Sequence, residues 1–310
     1  IMDKRLKQIS YSSRSSLTKC PRRYQLSKLS VASNQYEDTN SEITNDFGHA
    51  VGLGIQLVWQ GAEIDEIIWK LFLNWNTPIL TDSTKHTKSL WYAIHAIKKF
   101  LDLRETGFLA DWELFYWQGK PAVELSYLID LGDDYNDRGF IDIVVKNKRD
   151  GKVMVIECKT SSSKSITQAD FGNSTQSLGY AVLLDYIMPG LNSFEVLYLI
   201  YKTEAQEWIN IPMFKSALLK AEWIQTVVLT KKILELYEEF NYFPREGSAC
   251  KSMFGECKYY GICNLSDAVL INPMSKSQEA ALDKELSNYQ IKLKLTDIIA
   301  NQLALLGHKQ

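Results

Sequence analysis

Histidine is scarce in this chain, and long apolar runs are missing. Only four histidines stand among 310 residues, and His86, His95 and His308 show no metal-ligand spacing. No window approaches the roughly 18 consecutive apolar residues of a membrane span. The opening IMDKRLKQISYSS lacks a signal-peptide run. A soluble cytoplasmic protein without a membrane partner is the expectation. No sign of charge dominates, since the formal net charge is −2. A nucleic-acid partner would then need a local basic groove. No GxxxxGK[ST] loop is present, which excludes a P-loop motor within the chain. No internal repeat or low-complexity tract interrupts it.

What is present is ordinary globular material with two unusual clusters. Hydrophobic residues make up 45% and charged residues 23%, enough for a packed core. The spacing predicts helices over 13–29, 42–60, 63–76 and 86–106. Gly48, Gly52 and Gly54 within the second suggest close helix packing or approach to a ligand. A hairpin across Gly119 is expected from 112–118 and 121–131, then a second over 137–160. A helix over 173–188 ended by Pro189-Gly190, strands over 194–202 and 207–212, and a helix over 214–241 follow. A cysteine loop spans 247–264. In the last 35 residues, Leu282, Leu286, Tyr289, Leu293, Ala300 and Leu303 form a heptad-like stripe and predict one helix. This order predicts an α/β fold with a central sheet flanked by helices.

The first cluster is DRGFIDIVVKNKRDGKVMVIECKT, residues 137 to 160. Folding this hairpin about residues 149 and 150 sets Asp142 opposite Glu157. Side chains alternate along a strand, so Glu157 and Lys159 share a face and Cys158 points away. Both carboxylates interrupt strongly apolar strands, and a buried charge is costly unless paired or metal-bound. Two carboxylates and an ammonium at a strand end suit a hard divalent cation and an attacking water.

Gly139, Asp142, Glu157, Lys159, Thr160, Gln176 and Tyr180 stand in the order G-x-x-D, (D/E)-x-K-T, Q-x-x-x-Y. In this the chain resembles the PD-(D/E)XK nucleases, specifically the RecB-type branch. SSLTKCPRRYQL resembles that branch's opening helix, and the likeness runs from about residue 12 to 264. The resemblance implies a restriction-endonuclease-like mixed sheet and metal-dependent hydrolysis of DNA. It implies that Asp142, Glu157 and the backbone carbonyl of Cys158 bind Mg²⁺ or Mn²⁺, and that Lys159 positions or activates the water. Gln176, Tyr180, Thr160 and Arg138 would line the site or touch DNA. Glu124 sits where some relatives carry a further acidic residue. Many RecB-type nucleases place a metal-binding His four residues after the Gly of an FG pair. Here Gly52 holds that place, and His49 lies three residues early.

The second cluster is cysteine. Cys20 precedes Pro21, and Cys250, Cys257 and Cys263 lie in SACKSMFGECKYYGICN. Clustered cysteines in a cytosolic protein favour metal over disulfide. Four thiolates suit a [4Fe–4S] cluster or a zinc ion, and spacing does not separate the two. The resemblance favours iron: the AddB nuclease domain and CRISPR-associated RecB-like exonucleases have one Cys before the nuclease motifs and three after. The six-residue first gap here departs from their tighter spacing.

The domain expectation is a nuclease domain over 1–264, with a helical insertion at about 42–107 and a core at about 108–213, then a helical extension over 265–310. The expected activity is a DNA exonuclease on single-stranded ends, in repair, recombination, phage replication or CRISPR adaptation. A helicase, recombination or CRISPR-adaptation protein would be its partner, in a host cytoplasm if phage-encoded. Arg22, Arg23, Arg138 and Lys164 would supply a basic groove, with Tyr24 or Tyr180 stacking on bases. Two alternatives stay open: a nuclease-fold DNA-binding protein with weak or no activity, and a structure-specific endonuclease.

Overall fold

Pro21 cannot continue a helix and drives the residue before it into extended backbone. In a computed structural model, which describes residues 3–30, 39–77, 87–172, 174–188, 194–252 and 255–307, Cys20 takes φ −162° and ψ 105°. The single helix expected over 13–29 is therefore two. After strand β1 (Gln8–Ile9) come α1 (Tyr11–Lys19) and α2 (Pro21–Leu29), then α3 (Thr39–Trp59), α4 (Ile64–Asn74) and α5 (Leu90–Glu105). Short strands β2 (Trp112–Leu114), β3 (Tyr116–Trp117) and β4 (Lys120–Pro121) lead into β5 (Val123–Gly132), β6 (Tyr135–Asn147) and β7 (Val153–Ser161). Next are α6 (Thr175–Ile187), β8 (Phe194–Lys202), β9 (Glu207–Lys215) and α7 (Ala217–Glu239). The chain closes with β10 (Lys251–Ser252), β11 (Gly255–Glu256), α8 (Asp267–Leu270), α9 (Lys276–Ser287), β12 (Ile291–Lys294) and α10 (Leu295–Gly307). The fold is mixed α/β, as expected. Among the described residues no helix is long and apolar enough to cross a membrane.

The chain divides into two compact units. A central unit comprises Asp38–Leu125 and Ile141–Lys220; a terminal unit comprises Ile1–Glu37, Ser126–Phe140 and Ala221–Gln310.

In the central unit the strands run β2-β6-β7-β8-β9, all neighbours antiparallel except the parallel pair β7 and β8. The expected wide hairpin across Gly119 is corrected. Strand β2 pairs with the end of β6 instead, and only β3 and β4 close around Gln118 (φ 48°) and Gly119 (φ 77°). Two successive positive φ values give the twist that suits a two-residue hairpin loop. One face of this sheet carries Ile143, Val145, Met154, Ile156 and Leu199, packed with Phe47, Val51 and Ile55 of α3 and Ala93, Ile97 and Phe100 of α5. A Cβ at Gly54 would stand 2.4 Å from Ile97 Cδ1, so that glycine lets α3 approach α5. Helix α6 follows the prediction, but Pro189-Gly190 lies outside the described residues.

In the terminal unit β12 runs parallel to β5, Ile291 beside Tyr127 and Lys294 beside Asp130. The single C-terminal helix expected from the heptad stripe is thus divided by a strand. IKLK alternates apolar and polar with period two, burying Ile291 and Leu293. Gly139 also has a packing reason: a Cβ there would meet Tyr127 Oη at 2.7 Å.

Candidate active site

Period-two alternation and a polar turn set the register of β6 and β7. Ile143 pairs with Ile156 and Lys146 with Val153, so the axis falls between Arg149 and Asp150. The turn is closed by Asn147, whose N–H donates to the Lys152 carbonyl at 2.7 Å. One step beyond the last pair stand Asp142 and Glu157. There the Cys158 N–H donates to Asp142 Oδ2 at 3.1 Å.

Glu157 is 1% exposed, and neither carboxylate oxygen has a hydrogen-bond partner. Its nearest cation is Lys159 Nζ, 2.5 Å from Oε1 in an ion pair. Burial, then the negative charge of Glu157, push the Asp142 carboxyl well above the usual range. Burial alone would lower Lys159, but Glu157 and Asp142 outweigh it and hold the ammonium charged to higher pH. Glu124 is raised as well, by burial against a lowering hydrogen bond from Gln56 and with Glu157 adding to the rise. Three acidic groups therefore crowd one ammonium.

Helix α6 supplies the second layer. Lys159 Nζ donates to Gln176 Oε1 at 3.3 Å, and Gln176 Nε2 donates to Tyr180 Oη at 2.7 Å. Residues four apart lie on one helix face, so Q-x-x-x-Y is the spacing needed to hold a lysine amide-first. Tyr180 is 1% exposed and Tyr24 is 0% exposed, so neither offers a face to a base; that stacking expectation is corrected. Tyr24 instead donates to the Leu6 carbonyl.

A cavity of about 480 Å³ opens beside Asp142 and Cys158, walled by Gly48, His49, Gly52, Gln56, Asn74 and Glu124, among others. Gly48, Gly52 and Gln56 are four apart and form one face of α3. Thr160 Oγ1 lies 3.7 Å from a Cβ built at Gly48, while one built at Gly52 meets nothing within 4 Å. Glu124 has φ 47°, a left-handed conformation unusual for its type, and accepts from Gln56 Nε2. Gln56, Asn74 and Asn76 escaped the sequence reading. The four-residue spacing from Gly48 would have found Gln56; nothing marked the asparagines. Arg138 belongs to the terminal unit, where it pairs with Glu285 and Tyr289. Arg22 is buried there against Asp267, while Arg23 and Lys164 are exposed.

The donor set suits a hard cation through its chemistry: two carboxylates, one of them with no partner at Oε2, and a strand-end carbonyl at Cys158. Among the described residues no three His, Cys, Asp or Glu side chains are grouped to hold a metal. Any cation here would therefore rest on two carboxylates, backbone and water.

Cys20, Cys250, Cys257 and Cys263 lie in the terminal unit. Lys251 pairs with Glu256 and Ser252 with Gly255, which sets Cys250 across from Cys257, and the Cys257 N–H donates to the Cys250 carbonyl at 2.8 Å. This hairpin accounts for the six-residue gap. Cys257 and Cys263 pack against Leu26, Tyr259 and Leu270. Burial, then the charges of Cys257, Cys20 and Cys263, push the Cys250 thiol up. The four sulfurs are thus within electrostatic reach, yet all are free thiols and no three are grouped closely enough to hold a metal.

Comparison with known proteins bears on this geometry. Among solved structures, the crystal structure of SSO0001 is similar at 16% identity, over 83% of this chain and 86% of that one, with a TM-score of 0.33. No curated protein matches. The family model of the PD-(D/E)XK nuclease superfamily matches residues 8–264. With that match over most of its length, a mixed α/β fold of the restriction-endonuclease kind and a nuclease's family ties to DNA and divalent metal, the chain belongs to the PD-(D/E)XK nuclease superfamily.

Proposed function

We propose that this protein is a metal-dependent deoxyribonuclease of the RecB-type branch that degrades DNA from single-stranded ends. The observation that carries this reading is Glu157: a carboxylate 1% exposed, ion-paired with Lys159 at Oε1, without a hydrogen-bond partner at Oε2, and beside Asp142. Asp142, Glu157 and the Cys158 carbonyl would hold Mg²⁺ or Mn²⁺, with Glu124 or His49 as further candidates lining the same cavity. When bound, the ion supplies Lewis acidity toward a phosphoryl oxygen and makes bound water more acidic.

The chain's own residues do the remaining work. Glu157 and Gln176 aim the Lys159 ammonium, and Tyr180 fixes the Gln176 amide. Lys159 then orients the attacking water and offsets negative charge developing on the phosphoryl oxygens. Thr160 and the Gly48–Gly52 face of α3 line the approach to Asp142. Cys20, Cys250, Cys257 and Cys263 are read as ligands of a [4Fe–4S] cluster, with zinc as the alternative; the hairpin pairing of Cys250 with Cys257 supports a shared site. Residues 1–264 form the nuclease proper and 265–310 the extension. A helicase, recombination or CRISPR-adaptation partner in the same cytoplasm fits a chain with no P-loop.

A second reading, a DNA-binding protein with weak activity, draws on Gly52, where no side chain reaches toward the carboxylates. The test is cleavage of linear and circular single-stranded DNA with Mn²⁺ or Mg²⁺. Wild type should cut linear DNA, and Lys159→Ala should be slower by about 10²-fold or more. Equal cutting by both proteins, or by neither, overturns the catalytic assignment. Cleavage of circles replaces the exonuclease with an endonuclease.

A further inference from the structure

The terminal unit contains a cavity of about 410 Å³ whose wall includes Arg5, Gln8, Ser27, Lys28, Arg138 and Glu285. Its cations are unequally satisfied. Arg5 is committed through Nε and Nη2 to both oxygens of Asp3. Arg138 uses only Nη1, toward Glu285 and the Tyr289 hydroxyl, and the Glu285 side chain is 56% exposed. Its Nε and Nη2 have no partner among the described residues. Lys28 donates to the Gln8 carbonyl at 3.2 Å and lies 5.9 Å from the Tyr24 ring. No carboxylate of the described residues stands within ion-pair distance of it. Burial, and then the charge of Arg138, push Lys28 down to about 8. Besides the committed Arg5, Lys28 and Arg138 thus line a partly desolvated cavity whose wall holds one carboxylate, the half-exposed Glu285 paired with Arg138. Such an arrangement is costly until an anion enters.

We propose that this cavity binds a phosphate group, whose oxygens accept from the Lys28 ammonium and the unused edge of the Arg138 guanidinium. A tetrahedral dianion offers several acceptors at once, which suits a point charge beside a planar fork. The phosphate could belong to a strand end, to a DNA backbone or to a free anion. The strand sources rest on the nuclease reading; the inorganic-phosphate arm does not.

The experiment uses the full chain in EDTA, with inorganic phosphate and with 5′-phosphorylated and 5′-hydroxyl single-stranded oligonucleotides. Lys28→Met is compared with Lys28→Arg and with Lys232→Met, an exposed lysine of α7 outside the cavity. Circular dichroism confirms that each variant is folded. Lys28→Met should weaken phosphate binding by about tenfold, the effect of one charge-assisted hydrogen bond. Lys28→Arg and Lys232→Met should bind as wild type does. If the source is a strand end, only the phosphorylated oligonucleotide loses affinity. If it is the backbone, both lose it and the salt slope falls by roughly 0.7. If neither oligonucleotide responds, the ligand is a free anion. No phosphate binding by wild type, equal binding by Lys28→Met, or an equal loss in Lys232→Met overturns the proposal.

Discussion

Two ion pairs of the central unit, one buried at both ends and one with its lysine 40% exposed, differ in balance. Lys220 Nζ and Asp185 Oδ2 are 2.7 Å apart with both side chains under 5% exposed, one cation for one anion. At the end of β7, Lys159 and Glu157 also touch, but Asp142 and Glu124 add negative charge that the single ammonium does not offset. A balanced pair holds structure. An unbalanced one leaves surplus negative charge, on which the proposed metal site rests.

The comparison is broken most forcefully at the balanced pair. Lys220→Met should cost about 3–5 kcal/mol by taking the ammonium away from the buried Asp185 carboxylate. Urea unfolding would read it, and adding Asp185→Leu should restore most of the loss. Cleavage per folded molecule should stay as in wild type; a specific activity drop would make the pair functional.

At the unbalanced site the sign reverses. Asp142→Asn should abolish metal-dependent cleavage yet raise the stability of metal-free protein by about 1–2 kcal/mol, because it removes a repelling charge. The pH dependence follows. The folded carboxyl of Asp142 is raised above its ordinary value of 3.8. Between those two values the folded state keeps a proton that the unfolded state has released. Stability in EDTA therefore increases as pH falls through the raised value toward 3.8. Below 3.8 the contribution is constant. The melting-temperature gap between wild type and Asp142→Asn should close over that window; a gap independent of pH would remove the charge explanation.

Gly52→His sharpens the comparison from the other side. The added side chain starts in open space facing the cavity. Mn²⁺ affinity by calorimetry should rise by about tenfold, with no gain if α3 faces elsewhere. The smallest effect is Gly52→Ala, which should stabilise by about 0.5–1 kcal/mol through helix propensity alone, read by thermal melting without change in metal binding.

Much of this was legible in the chain. The pairing of Asp142 with Glu157 follows from alternation about a symmetric polar turn, which is local information. The cysteine hairpin was less visible, because two-residue strands carry no periodicity. The strand that divides the C-terminal helix is hidden in the sequence, because IKLK is too short to outweigh a heptad-like stripe on either side and its parallel partner lies 164 residues earlier. Residue type marks Tyr24 and Tyr180 as candidates for stacking but does not reveal that both are buried.

By itself the sequence determined most of the longer elements, the β6–β7 register and the family, since each rests on short-range spacing. Only the tertiary structure decided that Gln176 and Tyr180 hold Lys159, that Gln56 reaches Glu124, and that Lys28 and Arg138 share one cavity. Those contacts join residues far apart in the chain, and their worth depends on burial, which turns a common charge into an unbalanced one.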